Sequence, residues 1–551
     1  MKLAEFGKLT EAEQAVVDGL GTGHVTVLGD GELPAPEAGD DRQVHASLIR
    51  WLALGAPGDG AVRLHEKGLR IAGALVVSDG QADPLLEKES TPGLDLEGGR
   101  LDRGLVLAHC RFKDTPVLRG VRVDTLNLHG SHLPGLRADR LEARGDVFLR
   151  GVQAAGEIRL LGARIDGDLS CTDGRFENAD GKALSADRLE ARGDVFLRGV
   201  QATGEVRLPG ARIGGDLDCQ GGRFETKGGR ALNADGARVT GVLFWRNGCQ
   251  AEGSLDLTAA EIGHINDDPA CWPGPGDLVL DRCRYGAFTG HGINAGDRIR
   301  WLDLQAPARF GKDFWPQPWE HCAHVLREMG HAEDARAVLI AKEERQRRGP
   351  RAQAAGNLSK IRRRIAKVER DADPNDIEAR LAARSGLVGA WLELAFLRLR
   401  DWLLAALIAY GHRPLQALGW LAGMWLLGAV LFGVAYGDGG FKPNNAFILR
   451  SAEWAQCADG GDRWAGHSST LDCYLDQPEA AGYPAFNAPL YSLDTLVPVV
   501  DLEVQDYWVP DGAVAAWARA YLWVHIAMGW FLALLAVAGF SGLIDTRATK
   551  D

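Results

Sequence analysis

Two patterns of apolar residues divide this chain. Over about the first 300 residues, apolar positions come in short alternating groups such as Val147/Leu149 and Ile158/Leu160, each preceded by Gly and an acidic residue. Over about the last 150 residues they form long continuous runs. Alternation over three to five residues indicates a short strand with one buried face, whereas long apolar runs indicate helices. The chain is therefore predicted to combine a β architecture with an apolar helical region.

The alternating groups lie inside an internal repeat. The sequence of 138–154, ADRLEARGDVFLRGVQA, recurs unchanged at 186–202, and we call this the long repeat. Glycines such as Gly145 and Gly156 mark a shorter period of 11 residues inside it. Self-similarity at a fixed period predicts stacked repeats, and we expect about 22 residues in each full coil. Residues 62–305 are therefore predicted to form one right-handed β-solenoid.

Helical patterns flank the predicted solenoid. Residues 1–61, which include a stretch with helical apolar spacing at 42–54, are predicted to cap its N-terminal end. At the other end, residues 306–350 are predicted to form a helical hairpin that turns near Gly330. The histidines of this hairpin fit no strong ligand spacing, so no metal site is predicted.

Composition constrains the function classes. Gly accounts for 70 of 551 residues, which suits a repeat that turns at every corner. The net charge of -12 argues against a general nucleic-acid binder. Nine cysteines form no CxxC pair, and Cys171 and Cys219 occupy equivalent repeat positions, so we expect them to be small core residues. No cofactor motif is recognisable, and no cofactor is predicted.

The C-terminal region contains two long apolar stretches. The stretch 414–436 carries no charge, and the stretch 520–544 is apolar with one interruption. Each stretch is long enough to cross a bilayer with some tilt. The stretch 386–410 mixes charged with apolar residues, so within a basic linker at 351–413 it is predicted to lie along a membrane interface. Residues 414–544 are thus predicted to form a two-span membrane domain.

Charges beside these stretches predict their orientation. The segment 342–384 is dense in Lys and Arg, whereas the loop at 437–514 is mainly acidic. The positive-inside rule places the basic segment in the cytoplasm, close to anionic lipid, and the acidic loop outside. Cys457 and Cys473 are the cysteines of that loop, and in an oxidising compartment we expect them to form a disulfide. Both termini, including a tail at 545–551, are predicted to be cytoplasmic.

A short apolar segment interrupts the acidic loop. Residues 488–496 are predicted to form a helix that dips back into the membrane and returns through an extended segment at 497–500. A re-entrant backbone survives in lipid only where it is buried in protein or faces water. Two spans are not expected to supply that cover, so several copies of the chain are predicted to surround a shared axis.

The segment YSLDTL at 491–496 is similar to the pore helix of two-span potassium-type channels. Span, loop and span together resemble the ion-channel domain that follows pentapeptide-type β-solenoids in bacterial proteins. Repeats such as ARIGGDLDC and the hairpin sequence LREMGHAEDARAVLIAKE resemble the same group. Some bacterial relatives carry the label membrane-associated oxidoreductase. The resemblance implies a bacterial inner-membrane protein, and the predicted fold class is a multidomain β + α membrane protein: a right-handed β-solenoid, a helical hairpin and a two-TM ion-channel-like domain with a re-entrant pore loop.

The residues after the pore-helix match depart from a potassium filter. Such a filter uses TVGYG-type backbone carbonyls, but LVPVVDL contains no glycine, so a strict K⁺ filter is not expected. Asp494, Asp501 and Glu503 either form acidic rings that favour cations, or Asp494 anchors the helix while the other two are solvated. The pore or selectivity candidates are Tyr491, Ser492, Asp494, Thr495, Val497, Pro498, Val499, Val500, Asp501 and Glu503.

His525, inside the second apolar stretch, is the gating candidate. Ionisable residues within a membrane suggest function, and an imidazole titrates near neutral pH. The alternative is a neutral imidazole that is hydrogen-bonded inside the helix bundle.

Three functions are compatible with these patterns. The first is a homo-oligomeric, integral membrane, ion-channel-like protein whose cytoplasmic β-solenoid is a sensor or assembly domain. The second is a non-conducting membrane-anchored scaffold whose solenoid holds a protein partner, and the third is a membrane-associated oxidoreductase. No catalytic residue is assigned, because no motif tells which distant polar residues meet. The expected partners are membrane lipid, further copies of the chain and a protein on the solenoid, with no nucleic acid.

Overall fold

In this computed structural model, the residues described are 2–60, 62–78, 93–306, 314–371, 377–413, 415–457 and 466–540. The chain divides into two compact units, Met1–Gly349 and Pro350–Asp551. Strands dominate the first unit, and helices dominate the second. The predicted tail at 545–551 and the last residues of the predicted second span, 541–544, lie outside the described residues.

Parallel strands build the first unit. Within the described ranges, a 16-stranded sheet contains Thr26–Val27, Leu69–Ala72, Leu105–Ala108, Arg122–Val123, Leu126–Asn127, Glu142–Ala143, Val147–Phe148, Arg164–Ile165, Leu169–Ser170, Glu190–Ala191, Val195–Phe196, Arg212–Ile213, Leu217–Asp218, Arg238–Trp245, Glu261–Asp267 and Arg284–Phe288. A 12-stranded sheet contains Gln43–His45, Leu75–Val77, Arg111–Phe112, His132–Leu133, Leu136–Arg137, Gln153–Ala154, Ile158–Arg159, Arg175–Ser185, Gln201–Arg207, Arg223–Asn233, Gln250–Asp256 and Leu278–Val279.

These strands wind into a β-solenoid of about eight turns, consistent with a pentapeptide-repeat-type fold. Glu142, Val147, Gln153 and Ile158 begin successive strands five or six residues apart, one on each side of the coil. Arg164 then returns to the side of Glu142 and pairs with it in parallel. A coil of this kind spans 22 residues, and the 11-residue period of the sequence corresponds to two of its four sides.

The long repeat corresponds to two coils of unequal length. The coil from Val147 to its partner Leu169 spans 22 residues, and the coil from Leu169 to its partner Val195 spans 26 residues. The longer coil contains the strand Arg175–Ser185, whose register with its neighbour shifts where exposed residues bulge outwards. The repeat thus alternates a plain coil with a coil that carries a surface bulge.

The Gly-acid pairs at 145–146, 167–168 and 193–194 form one stacked corner of successive coils. The Asp146 Oδ1 atom accepts the backbone N–H of Asp168 at 2.8 Å, and Asp168 Oδ1 accepts that of Asp194 at 2.8 Å. A Cβ atom on Gly167 would lie 2.2 Å from Asp146 Oδ1. Glycine is required there because any side chain would displace the carboxylate that satisfies a corner N–H group.

Inward-pointing side chains of successive coils form one apolar core. Val147, Leu149 and Ile158 are fully buried, like their counterparts one repeat further on. Cys171 and Cys219 are buried free thiols in the same core, which confirms the prediction that they are small core residues. Because a single coil cannot enclose its own apolar side chains, each coil depends on its neighbours for burial.

Helices and strands occupy the N-terminal end of the solenoid. The strand Gln43–His45 is followed by helix Ala46–Ala53, so the stretch predicted as helical at 42–54 begins as a strand. Parallel pairing begins at Thr26, upstream of residue 62, because Thr26 pairs with Ile71. The helices of the first unit are α1 Glu11–Gly19, α2 Ala46–Ala53, α3 Ala295–Leu302, α4 Gln317–Glu328 and α5 Ala332–Gln346.

A buried ion pair fastens the C-terminal end of the solenoid. Arg298 on α3 donates from both terminal nitrogens to Asp267 of the strand Glu261–Asp267, at 2.9 and 2.7 Å. The Trp272 indole N–H donates to the same carboxylate at 2.7 Å. The predicted hairpin is present as α4 and α5, and Lys342 of α5 donates to Glu320 of α4 at 2.9 Å.

The second unit is mainly helical, and Phe441–Pro443 pairs with Trp508–Pro510 in an antiparallel ribbon. Two of its helices, Gln416–Gly437 and Ala516–Phe540, contain stretches long and apolar enough to cross a membrane, and only 17% and 28% of these stretches are buried. Helix α6, Arg348–Asp371, begins just before the boundary between the units. The helices after it are α7 Ile377–Arg384, α8 Leu387–Ile408, α9 Gln416–Gly437, α10 Ala452–Gln456, α11 Thr470–Leu475, α12 Ala488–Leu496, α13 Val504–Tyr507 and α14 Ala516–Phe540.

Candidate functional site

Local sequence signals set both ends of the short helix α12, which matches the predicted range 488–496. The Asn487 side chain accepts the backbone N–H of Leu490 at 3.0 Å and caps the N-terminus, and Pro489 occupies the first turn. The helix ends before Pro498, because a residue that precedes proline avoids the helical conformation. Accordingly, Val497 is extended, with φ -99° and ψ 108°.

Polar contacts hold α12 against both apolar helices. The Ser492 hydroxyl donates to the backbone oxygen of Trp425 on α9 at 2.8 Å. The Trp425 indole N–H donates in return to the backbone oxygen of Pro489 at 2.9 Å. From α14, His525 Nε2 lies 3.1 Å from the backbone oxygen of Ser492. The candidate residue Ser492 therefore lies where α9, α12 and α14 meet.

The His525 ring is fully buried and hydrogen-bonded on both sides. Its Nε2 atom contacts the backbone oxygen of Ser492, and the Tyr521 hydroxyl lies 3.1 Å from its Nδ1 atom. A neutral ring with its proton on Nε2 satisfies both contacts, since Nδ1 then accepts from Tyr521. This geometry fits the alternative of a hydrogen-bonded imidazole in a helix bundle, while the gating role of His525 stays a prediction.

Two glycines allow the helices to approach so closely. A Cβ atom on Gly428 of α9 would lie 2.3 Å from Ser492 Oγ. A Cβ atom on Gly529 of α14 would lie 1.7 Å from the backbone oxygen of Leu496. These two glycines, like Trp425 and Tyr521, are not among the residues predicted from the sequence. Two sequence signals could have identified the glycines and Tyr521. Glycines inside apolar helices indicate close helix packing. Tyr521 precedes His525 by four residues, a spacing that places both side chains on the same face of a helix.

Asp494 is an anchor in this geometry. It is 4% exposed, and its carboxylate accepts the backbone N–H groups of Leu502 at 2.7 Å and Gln505 at 2.8 Å. These bonds tie the end of α12 to the chain that follows it. Asp501 and Glu503 are exposed, and Asp501 Oδ1 accepts the backbone N–H of Glu503 at 3.1 Å. The contacts of Asp494 therefore match the anchoring interpretation.

The structure separates the remaining candidates into a buried and an exposed group. Tyr491 and Thr495 are buried, and the Thr495 hydroxyl donates to the Tyr491 backbone oxygen at 2.7 Å. Val499 is 90% exposed at the tip after α12. Val497, Pro498 and Val500 are half-buried beside it. One chain thus buries the inner face of α12 by itself, which is more cover than the sequence predicts for two apolar stretches, and leaves the tip open.

The chain around this site is cross-linked. Cys457 and Cys473 form a disulfide, which confirms the predicted pairing. The Lys442 Nζ atom lies 3.1 Å from Asp511 Oδ1 and joins the two ends of the loop. Burial raises the pKa of Tyr483 to about 12, so its hydroxyl is a neutral donor to the backbone oxygen of Tyr507. These bonds fix the loop that presents α12.

Comparisons with known proteins give no match. No protein-family model matches this chain, and neither a curated protein nor a solved structure matches it. The resemblance to two-span channels therefore rests on the quoted sequence motifs alone.

No group of three or more His, Cys, Asp or Glu residues is arranged to hold a metal ion in the part of the chain that the structure describes. His321 of α4 instead accepts the backbone N–H of Tyr285 at 2.8 Å. Cys322 is buried beside it, and burial raises the pKa of its thiol to about 12. These groups position the hairpin on the last coils.

Charged side chains form ladders along one side of the solenoid. Arg122 lies 2.8 Å from Glu142, and Glu190 lies 3.4 Å from Arg164 and 3.6 Å from Arg212. Opposite charges on successive coils attract one another, so this side is largely charge-balanced. It is the surface on which the scaffold hypothesis would place a protein partner.

Proposed function

We propose that this chain is a homo-oligomeric, ion-channel-like protein of a bacterial inner membrane. Helices α9 and α14 cross the bilayer, and α12 is a re-entrant pore helix. The tip at residues 497–503 lines an axis that several copies share. The β-solenoid lies in the cytoplasm as a sensor or assembly domain.

One observation carries this proposal: the short helix α12 is hydrogen-bonded between two apolar helices whose outer sides are exposed. Removing apolar surface from water stabilises by about 25 cal/mol per Å². The exposed apolar side chains of α9 and α14 are therefore unfavourable in water and favourable in contact with lipid. The large exposed apolar side chains are Leu418, Trp420, Leu426, Leu427, Val430 and Val434 on α9, and Trp517, Trp523, Val524, Trp530, Phe531, Leu534 and Val537 on α14.

The division between buried and exposed candidates supports a pore loop. Ser492 bonds to the backbone of α9 and holds α12 in place, whereas the Thr495 hydroxyl is satisfied inside α12 itself. Asp501 and Glu503 are exposed beside Val499, where copies around an axis would bring them together as rings. Acidic rings favour cations, and without filter glycines we expect weak selectivity among them.

The orientation follows from charge and from the disulfide. Helix α6 contains eight Lys or Arg residues and two acidic residues, which favours the cytoplasmic side of the membrane. The bond between Cys457 and Cys473 suits an oxidising compartment outside the cytoplasm.

Reconstitution of the full-length protein into planar bilayers tests the proposal. We expect cation currents from an oligomer whose copy number is measured by light scattering in detergent. The double variant Asp501→Asn/Glu503→Gln should shift the reversal potential in a salt gradient towards that of an unselective pore. Asp506→Asn removes an exposed acid of the same loop outside the proposed rings and should leave the reversal potential unchanged.

Two results favour the alternatives. A verified oligomer that passes no current at any voltage or pH indicates the non-conducting scaffold, for which the charged ladders of the solenoid are the supporting observation. A flavin, haem or nicotinamide recovered from the purified protein would favour the oxidoreductase.

A further inference from the structure

Helices α6 and α8 form a packed pair in the C-terminal unit. Ala354 and Leu358 of α6 bury one apolar face of α8 by contact with Ala390 and Leu394. The buried carboxylate of Asp401 on α8 lies 2.9 Å from Arg400 and 3.4 Å from Arg351 of α6. The pair is therefore held by both apolar and ionic contacts.

A second apolar face of α8 is more exposed than covered among the described residues. At 100° per residue its members fall within an arc of about 140°, and they extend about 21 Å along the helix. We call this set the α8 stripe. It consists of Val388, Trp391, Leu392, Phe396, Leu399 and Trp402, each more than half exposed.

Cations border one edge of the α8 stripe. A pocket of about 300 Å³ between the two helices is lined by Arg362 and Ser359 from α6 and by Arg398 and Trp391 from α8. Within the described residues, no carboxylate lies at salt-bridge distance from either arginine. Two guanidinium groups and a hydroxyl are the donors that a phosphate group prefers.

We propose that the α6–α8 pair binds an anionic phospholipid of the bilayer. Its phosphate lies between Arg362 and Arg398, the Trp391 indole contacts the glycerol region, and the acyl chains lie along the α8 stripe. The proposal rests on the membrane location proposed above, because α8 ends at Ile408, shortly before α9 begins at Gln416. The protein would thereby sense the anionic lipid content at the cytoplasmic surface.

Lipid is favoured over a protein partner by three features together. Trp, Phe and Leu make up most of the stripe, including Trp391 and Trp402, which is typical of the apolar face of a helix at a membrane interface. The neighbouring helix α6 is strongly cationic and complements an anionic leaflet. Helix α8 also contacts α9, a helix apolar enough to cross the bilayer, where the Trp420 indole N–H donates to the backbone oxygen of Ala406 at 2.9 Å.

Binding of fluorescent phosphatidylglycerol to the full-length protein in detergent tests the inference. We expect phosphatidylglycerol to bind more tightly than phosphatidylcholine. A hydrogen bond to a charged group contributes a factor of about ten or more, so Arg362→Gln/Arg398→Gln should weaken binding at least about tenfold. Trp391→Ala should weaken it without any change of charge. Inorganic phosphate should not displace the lipid, and displacement would overturn the lipid assignment in favour of a simple anion site.

A matched control distinguishes lipid binding in the pocket from non-specific electrostatic attraction of the lipid to α6. Arg363→Gln/Arg370→Gln removes the same charge from exposed positions of α6 outside the pocket and should change the affinity little. Equal losses in both double variants, at unchanged helix content by circular dichroism, would overturn the inference. A protein that conducts ions but binds both lipids equally refutes the inference alone. A protein that binds phosphatidylglycerol selectively but conducts nothing refutes the proposed pore alone.

Discussion

The two units reach a defined fold by different routes. Within the long repeat of the solenoid, the backbone pairs with the coil 22 or 26 residues away, so one local rule recurs along that part of the chain. In the helical unit, Ser492 contacts Trp425 and His525, which are 67 and 33 residues away. A repeat encodes its contacts in its period, whereas each contact of the helical unit occurs once.

This difference extends to the way in which polar groups are satisfied. Solenoid corners use a repeated carboxylate, and Asp194 repeats the bond of Asp168 one coil later. Around α12 the polar groups form one cluster, in which Ser492 of α12 depends on His525 of α14, and His525 in turn on Tyr521. Loss of one group should therefore have a local effect in the solenoid and a wider effect around α12.

The largest expected effect tests whether the solenoid end also depends on a single contact. Asp267→Asn leaves the buried charge of Arg298 uncompensated, and breaking a buried pair costs about 3–5 kcal/mol. We expect the unfolding free energy of the solenoid, followed by far-UV circular dichroism of the full-length protein in detergent and urea, to fall by that amount. The double variant Asp267→Leu/Arg298→Met removes both charges and should regain most of the loss. Equal destabilisation of the single and double variants would show that shape, not charge, matters there.

The next effect concerns the disulfide of the helical unit. Cys457 and Cys473 are 16 residues apart, and closing a loop of that size stabilises by about 3 kcal/mol in the chain-entropy description. Reduction should lower the unfolding midpoint of the helical unit and leave the solenoid transition in place. The variant Cys457→Ser/Cys473→Ser should show the same midpoint with and without reductant. A shift of the solenoid transition on reduction would contradict the independence of the two units.

Much of the solenoid was readable from its sequence for a physical reason. Within one coil, Gly-acid pairs indicate the corners, and alternating apolar residues such as Val147 and Leu149 indicate the core. These signals recur in successive copies of the repeat. The unequal lengths of successive coils were hidden, because the long repeat reports only the sum of a shorter and a longer coil. The start of parallel pairing at Thr26 was also missed, since its strand is very short.

Around the candidate site, the sequence predicted elements better than contacts. The helix α12 and the disulfide were expected, because Asn487, Pro498 and the isolated cysteine pair are local signals. The contact of Ser492 with Trp425 was not expected, because contacts between helices that are far apart in the sequence leave no local sequence pattern. The bonds from the backbone N–H groups of Leu502 and Gln505 to the Asp494 carboxylate were likewise not readable from the sequence.

The third prediction tests whether a single close contact in the helical unit is needed to hold α12 against α14. Gly529→Ala would place a Cβ atom 1.7 Å from the backbone oxygen of Leu496, so α12 must move away from α14. Overpacking of this kind costs about 1–3 kcal/mol, and we expect a lower unfolding midpoint and loss of current in bilayers. Gly423→Ala on α9 meets open space and serves as the control, with an unchanged midpoint. Equal behaviour of the two variants would mean that α12 is not held at this point.

The smallest effect is expected on the solenoid surface, where a repeated contact should be individually dispensable. Glu190 lies between Arg164 and Arg212, and its side chain is 44% exposed. Exposed ion pairs contribute about 0–1 kcal/mol, and salt screens them, so Glu190→Gln should lower the unfolding free energy of the solenoid by less than about 1 kcal/mol. The difference from the unmodified protein should vanish at high ionic strength in the same urea titration. Glu142→Gln, on the same side of an earlier coil, should behave alike because it faces the same kind of neighbours. A loss that approaches that of Asp267→Asn, or one that persists in high salt, would contradict the description of this side as solvated and charge-balanced.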